Sequence, residues 1–149
     1  MDRNLTPNKQ SSARRGLLTV EMLLTLPILL LAGLSLVQFS MLLLGSQAIS
    51  AAAHSGVRQA ALPGATIGSV RRSVDNALEG WSFKKNTQLL IFVNDQPVSK
   101  FPLDQARTGD KVSVTVRVGA AQVAPNALSL VGITIAGTDL QQTFVMRVE

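Results

Sequence analysis

The chain has 149 residues, no cysteine and a net charge of +5 at pH 7; it has room for one modest domain, and disulfide frameworks, CxxC redox chemistry and thiolate metal sites are excluded. The basic excess is concentrated, because Arg3, Lys9, Arg14 and Arg15 against Asp2 place +3 of it in the first 16 residues. The remaining 133 residues are nearly neutral, have no tyrosine and a single tryptophan, and lack the phosphate-neutralising patch that DNA or RNA binding requires.

From Met22 to Leu44 the chain carries no charge, and only Thr25, Ser35, Gln38 and Ser40 interrupt the apolar run. As a helix rising 1.5 Å per residue this segment is about 34 Å long, enough to cross a hydrocarbon core of about 30 Å. Pro27 lies near the start of the span, where a missing backbone donor is cheapest, and Gly33 is ordinary in membrane helices. Four Lys or Arg residues precede the span, whereas only Arg58 comes after it within the distance that sets topology. This asymmetry predicts a cytoplasmic N-terminus and residues beyond about 45 outside. A cleaved secretory signal is the competing reading, but its apolar core runs only about 7 to 15 residues.

Glu21 sits at the cytoplasmic edge of this run. An ionised acid costs on the order of 2.5 to 3.5 kcal/mol at the centre of a membrane helix and less near its ends, so such acids usually have a partner or a role. Glu21 alone is compatible with a side chain that snorkels to the interface and favours the helix N-terminus electrostatically. Its setting is more specific: a short basic leader ends in Arg14, Arg15 and Gly16, four residues intervene, and Glu21 precedes an apolar helix too long to be a discarded signal.

This arrangement resembles the prepilin peptidase site of type IV filament proteins, with glycine last in the leader and glutamate fifth in the mature chain. The resemblance implies cleavage between Gly16 and Leu17, leaving Glu21 and Met22 at the start of the mature helix and creating an α-amino cation at Leu17. It also implies that Glu21 pairs with that amine on a neighbouring subunit, offsetting the desolvation of both charges. The stretch "RRGLLTVEMLLTLPILLLAGLSLVQFSMLLLGSQAISAAAHSGVRQAA" is similar to the TadE-like pseudopilins of tight-adherence (Flp) pilus systems. The matching positions are Arg14, Arg15, Gly16, Val20, Glu21, Leu26, Pro27, Gly56 and Arg58. Met22 stands where an aromatic is usual, and His54 with Ser55 stand where an Arg-Glu pair is common. The resemblance implies a pilus assembly component or minor subunit, with the membrane, the prepilin peptidase, and other pilins and pilus assembly proteins as partners.

Past the span, "GSQAISAAAHSGVRQAA" continues the helix to Pro63. Its small residues Ala51, Ala52, Ala53, Ser55 and Gly56 are expected to serve either as a plain stalk or as a packing face for a neighbouring helix in a filament. Ile67, Val70, Val74, Ala77, Leu78 and Trp81 recur at helical spacing, predicting a short amphipathic helix that covers a sheet, with Arg71 and Arg72 on its solvated face. "QLLIFVND", "KVSVTVRV" and "QQTFVMRVE" read as strands, with Val112, Val114, Val116 and Val118 on one face of the second and Phe144, Met146 and Val148 on one face of the last. Turns are expected at 95–97 and 108–110. The stretch "AAQVAPNALSLVGITIAGTD", apolar but broken by Pro125 and Gly132, is expected to lie against the membrane or a neighbouring subunit.

The expected fold is therefore α+β: a long N-terminal transmembrane helix continuing outside the membrane, then a short amphipathic helix and a small antiparallel β-sheet. Residues 1–16 form the leader, 17–61 the transmembrane and juxtamembrane helix, and 62–149 a small extracytoplasmic domain. Enzymatic chemistry finds no support. His54 is the single histidine, "GITIAG" lacks the lysine of a phosphate loop, and Asp95, Asp104, Asp110 and Asp139 fall at turns. No cofactor, metal, nucleic acid or small-molecule substrate is expected. The competing reading is an uncleaved single-span envelope protein whose outer domain binds a partner.

Overall fold

The computed structural model of the chain describes residues 10–149, with side chains from Thr19 onward. One uninterrupted helix, α1 (Gln10–Ala60), runs through both the apolar run and the alanine-rich segment. It is about 76 Å long at 1.5 Å per residue. Because α1 begins well upstream of Met22, Pro27 lies in its interior and not in a first turn, as its place near the start of the apolar run had suggested. Proline there withholds a donor from the carbonyl four residues earlier, a defect that membrane helices tolerate. Among the described residues this is the one helix long and apolar enough to cross a membrane.

After α1 the chain turns through Gly64, which adopts φ +70°, into α2 (Ile67–Ala77). Thr66 and Ser69 form a capping box: the Ser69 amide donates to Thr66 Oγ1 at 3.2 Å, and the Thr66 amide donates to Ser69 Oγ at 3.1 Å. These bonds satisfy two of the free donors at the helix start. The helix ends earlier than the apolar spacing indicated. Gly80 takes φ +86°, and Trp81 falls in the turn after it, stacked at a tilt on buried Phe83 with centroids 5.3 Å apart. Val70, Val74 and Leu78 are buried as expected, whereas Ile67 is half exposed.

Four strands form an antiparallel sheet in the order β2-β1-β3-β4, with β1 at Gln88–Val93, β2 at Gln96–Pro97, β3 at Lys111–Gly119 and β4 at Asp139–Arg147. Short 3-10 turns at Ser82–Asn86, Leu103–Gln105 and Ala127–Val131, and a single helical turn, α3 (Ala120–Val123), complete the chain. The valine alternation of β3 is realised in full, with Val112, Val114, Val116 and Val118 all buried. On its opposite face Thr115 shares a hydroxyl hydrogen bond of 2.7 Å with Thr143 of β4. The first turn sits slightly earlier than 95–97. Asn94 and Asp95 both take positive φ (48° and 64°), the geometry of a two-residue hairpin, and both residue types tolerate it. Pro97 is then part of edge strand β2, where a missing donor is harmless.

The expectation that α2 covers the sheet is corrected: its main neighbour is α1, and the outer half of α1 is what lies on β3 and β4. The register along that contact is direct. Gln142 reaches Ser46, the Phe144 ring meets His54 edge-on, and the Glu149 amide donates to the Ala61 carbonyl at 3.2 Å. The sheet end carrying Gly119 and Asp139 therefore lies toward the apolar half of α1, and the end carrying Lys111 and Arg147 lies at the far end of the helix. Arg117 and Asp139 pair at the near end.

At the far end Asp110 organises the turn. It accepts from the Arg107 amide at 2.8 Å and from Asn94 Nδ2 at 2.9 Å, while the Lys111 amide donates to Asn94 Oδ1 at 3.0 Å. The Arg107 amide, then Asn94, hold the Asp110 carboxyl below its ordinary value of 3.8. A carboxylate depressed on folding contributes its stabilisation above the ordinary value and loses it as pH falls through the lower folded value. The Asn94 side-chain amide signals should accordingly shift below pH 3.8, and Asp110→Asn should remove that acid transition. Unchanged titration in the variant would contradict the assignment.

Candidate functional site

The two halves of α1 are built for different surroundings. From Thr19 to Leu30 every side chain is exposed, including Val20, Met22, Leu23, Leu24, Leu26, Ile28, Leu29 and Leu30. So much bare apolar surface on one element marks an interface with lipid or with other helices. Its hydroxyl groups place no demand on those surroundings. Thr25, Ser35 and Ser40 each donate to the carbonyl four residues earlier, at 2.7, 2.7 and 2.8 Å, which satisfies them inside the helix.

Glu21 stands within this bare half. Its backbone carbonyl accepts the Thr25 hydroxyl, but among the described residues its carboxylate has neither an ion pair nor a hydrogen bond, and it is exposed. Any charge partner at bilayer depth must therefore come from outside the described part of the subunit. Arg14, Arg15, Gly16 and Leu17 lie where side chains fall outside the described residues; the backbone of α1 passes through these positions. Met22 is exposed beside Glu21.

The outer half of α1 is a core element. Ile49, Ala52, Ala53, Val57 and Ala60 are buried, with Ala48 and Ala61, against α2 and the sheet. The small residues that read as a stalk or as a filament face are thus mostly consumed within the subunit, although Ala51 stays exposed. Gly56 marks the tightest point. A Cβ added there would lie 2.7 Å from Val74 Cγ2, 3.2 Å from Val114 Cγ1 and 3.7 Å from Val70 Cγ1. Helix α1, helix α2 and strand β3 converge at that one residue, which explains why glycine is needed in the middle of a helix that otherwise favours alanine.

Arg58 is exposed in the last turn of α1, where a cation complements the negative helix end. His54 packs edge-on against Phe144, centroids 5.5 Å apart, while Ser55 turns to Ser73 with a hydroxyl contact of 2.8 Å. The two neighbours point apart as adjacent helical residues do, so they do not form a base and nucleophile pair. Among the described residues no group of three or more His, Asp or Glu is placed to hold a metal ion.

Two residues of α1 gained roles that sequence reasoning missed. Gln38, noted only as a polar interruption, is buried and its Oε1 accepts the Leu128 amide at 3.3 Å. Gly45 lies so close to Val123 of α3 that a Cβ would overlap the valine methyl. A lone amide and a glycine near the outer end of the apolar run were the available signals.

A family model described as TadE-like protein matches residues 16–58, from the predicted last leader residue to Arg58. No curated protein and no solved structure matches the chain. Residues 16–58 are thus similar to TadE-like proteins, and they lie within the single described helix long and apolar enough to cross a membrane.

Proposed function

We propose that this chain, TadE-like over residues 16–58, is a prepseudopilin of a Tad/Flp adhesion pilus, cleaved between Gly16 and Leu17 by a prepilin peptidase and then acting in pilus assembly or as a minor subunit. The precursor sits in the bacterial inner membrane with residues 1–16 cytoplasmic, a span at about 22–44, and 62–149 outside as its extracytoplasmic domain. Arg14 and Arg15 hold that orientation. Pro27, Gly56 and Arg58 belong to the helix that the filament retains.

The observation that carries the reading is the exposed carboxylate of Glu21 on an otherwise bare apolar half-helix, attached to a folded outer domain. Lipid tails are as apolar as leucine, so moving this half-helix from lipid into a bundle of neighbouring helices gains little from burial. One register must then be distinguished from another by polar contacts. Cleavage creates a cation at Leu17, and Glu21 of the next subunit is the group that can compensate it in a dry environment. Cutting on the cytoplasmic side removes the basic leader yet leaves the apolar helix on the mature protein. Glycine at position 16 keeps the backbone open to a peptidase that brings its own catalytic groups.

The test is processing in cells that contain the peptidase. The native chain should convert to the shorter form, while Gly16→Ala should accumulate at full length by more than about tenfold over the native precursor, a block of at least 1.4 kcal/mol in relative processing. Equal processing of both chains, or persistence of full-length native chain, would favour the uncleaved single-span protein instead.

A further inference from the structure

We propose that the connection between β3 and β4 is a membrane-inserting loop, whose Leu130, Val131 and Ile133 enter the acyl region of the outer leaflet beside α1. The proposal rests on the topology proposed for the precursor, in which the sheet lies outside and the apolar half of α1 spans the bilayer.

Depth is the first ground. The loop is held to α1 at Gln38 and at Gly45, by the Leu128 amide and by Val123 respectively. Gln38 lies inside the uncharged run, about 9 Å back along the helix axis from Leu44 at 1.5 Å per residue. Other faces of α1 at this level stay bare, with Leu36, Val37, Phe39, Leu43 and Leu44 exposed. The loop thus descends along one face of the span while lipid has access to the rest.

The loop's surface is the second ground. From Ala120 to Thr138 there is no charged residue. Leu130 is 85% exposed and Ile133 57%, at the tip of the segment that reaches Gln38. Large bare apolar side chains at the depth of the span, continuous with the bare surface of α1, match hydrocarbon and not water.

Third, much of the loop's backbone near its tip is hydrogen-bonded within the loop itself, which lowers the cost of bringing irregular backbone against lipid. Asn126 acts as the hub. Its carbonyl accepts the Ser129 amide and hydroxyl, its Nδ2 donates to Thr134 Oγ1 at 2.8 Å, and its Oδ1 accepts the Ile135 amide. The Gly132 and Ile133 amides donate back to the Ser129 and Leu128 carbonyls, and the Ala136 amide to Thr134 Oγ1. The amide of Leu128 donates to Gln38 Oε1, so the loop also covers the buried amide side chain of the span.

The native chain has no cysteine, so single labels can be placed cleanly. Leu130→Cys, Ile133→Cys, Leu36→Cys and Ser99→Cys are each coupled to an environment-sensitive fluorophore in the full chain. The labelled chains are reconstituted in phosphatidylethanolamine and phosphatidylglycerol vesicles with or without acyl-brominated lipid. Labels at 130 and 133 should emit at shorter wavelength than the label at 99, be quenched by brominated lipid as the label at 36 is, and resist aqueous iodide. Labels at 130 and 133 that behave like the one at 99, while 36 is quenched by lipid, would overturn the loop proposal and leave the span intact. Failure of 36 as well would overturn the span on which it depends. Shielding of 130 and 133 from both quenchers, increasing with protein density, would assign the surface to a second copy of the chain and also overturn the lipid proposal.

Discussion

Replacing Gly56 by valine is expected to lower the stability of the outer domain by about 3 kcal/mol, since overpacking a close-packed site costs typically 1 to 3 kcal/mol and two neighbours on different elements are crowded at once. The physical reason is local and complete. The new Cβ alone would stand 2.7 Å from Val74 Cγ2 and 3.2 Å from Val114 Cγ1, and both neighbours are β-branched side chains with little rotamer freedom. Neither α2 nor β3 can retreat without opening the core that Val57, Val70, Val74 and Val114 share. Denaturant unfolding of the full chain in detergent, monitored by circular dichroism, measures the loss. Gly68→Ala makes a contrast of opposite sign, because its nearest foreign atom would be Thr66 Oγ1 at 3.9 Å. Alanine there should be neutral or stabilising by up to about 1 kcal/mol. Equal stability of the native chain and Gly56→Val would show that the three elements do not converge as described.

The second large effect is on assembly. On the proposed pairing with the Leu17 amine, Glu21→Ala should leave the chain inserted and cleaved but reduce its incorporation into pili by roughly two orders of magnitude or more, because removing one partner of a buried ion pair costs about 3 to 5 kcal/mol per contact. Alanine is itself the better helix former and Glu21 touches nothing through its carboxylate among the described residues, so subunit folding should be unaffected. Quantifying the protein in sheared pilus fractions against membrane fractions separates the two outcomes. Normal incorporation of Glu21→Ala would leave the carboxylate as an interfacial acid without an assembly role.

How legible each feature is in the sequence depends on where it gets its energy. The strand β3 was readable because one buried face imposes period-two alternation from Val112 to Val118. The long helix was readable from residue 17 to its end, where only Pro27 and three isolated glycines oppose it, whereas its start at Gln10, inside the expected leader, was not. The small residues of the outer half of α1 announced a close approach but not by what. Glycine and alanine permit any backbone to come near, and here the approaching elements are α2 and β3 of the same chain. Trp81 matched a helical stripe, but α2 is capped at Leu78 and the chain then turns through Gly80 at φ +86°.

The loop from Ala120 to Thr138 was the least legible part. It has no period, and its course depends on contacts remote in sequence, above all Gln38 with Leu128 and Gly45 with Val123. The candidate processing site was the reverse case. Gly16 and Glu21 were conspicuous because glycine after two arginines and an acid at the edge of an apolar run are costly choices for an ordinary anchor. The fold adds that the Glu21 carboxylate is exposed and has no ion pair or hydrogen bond among the described residues.

The proposed processing makes Leu17 the first residue of the functional protein. The most direct measurement is the intact mass of the native chain extracted from the membranes of cells with an active prepilin peptidase. The expected mass corresponds to a chain without residues 1–16, with Leu17 as its first residue. A mass that still includes Met1 and the rest of the leader would contradict it.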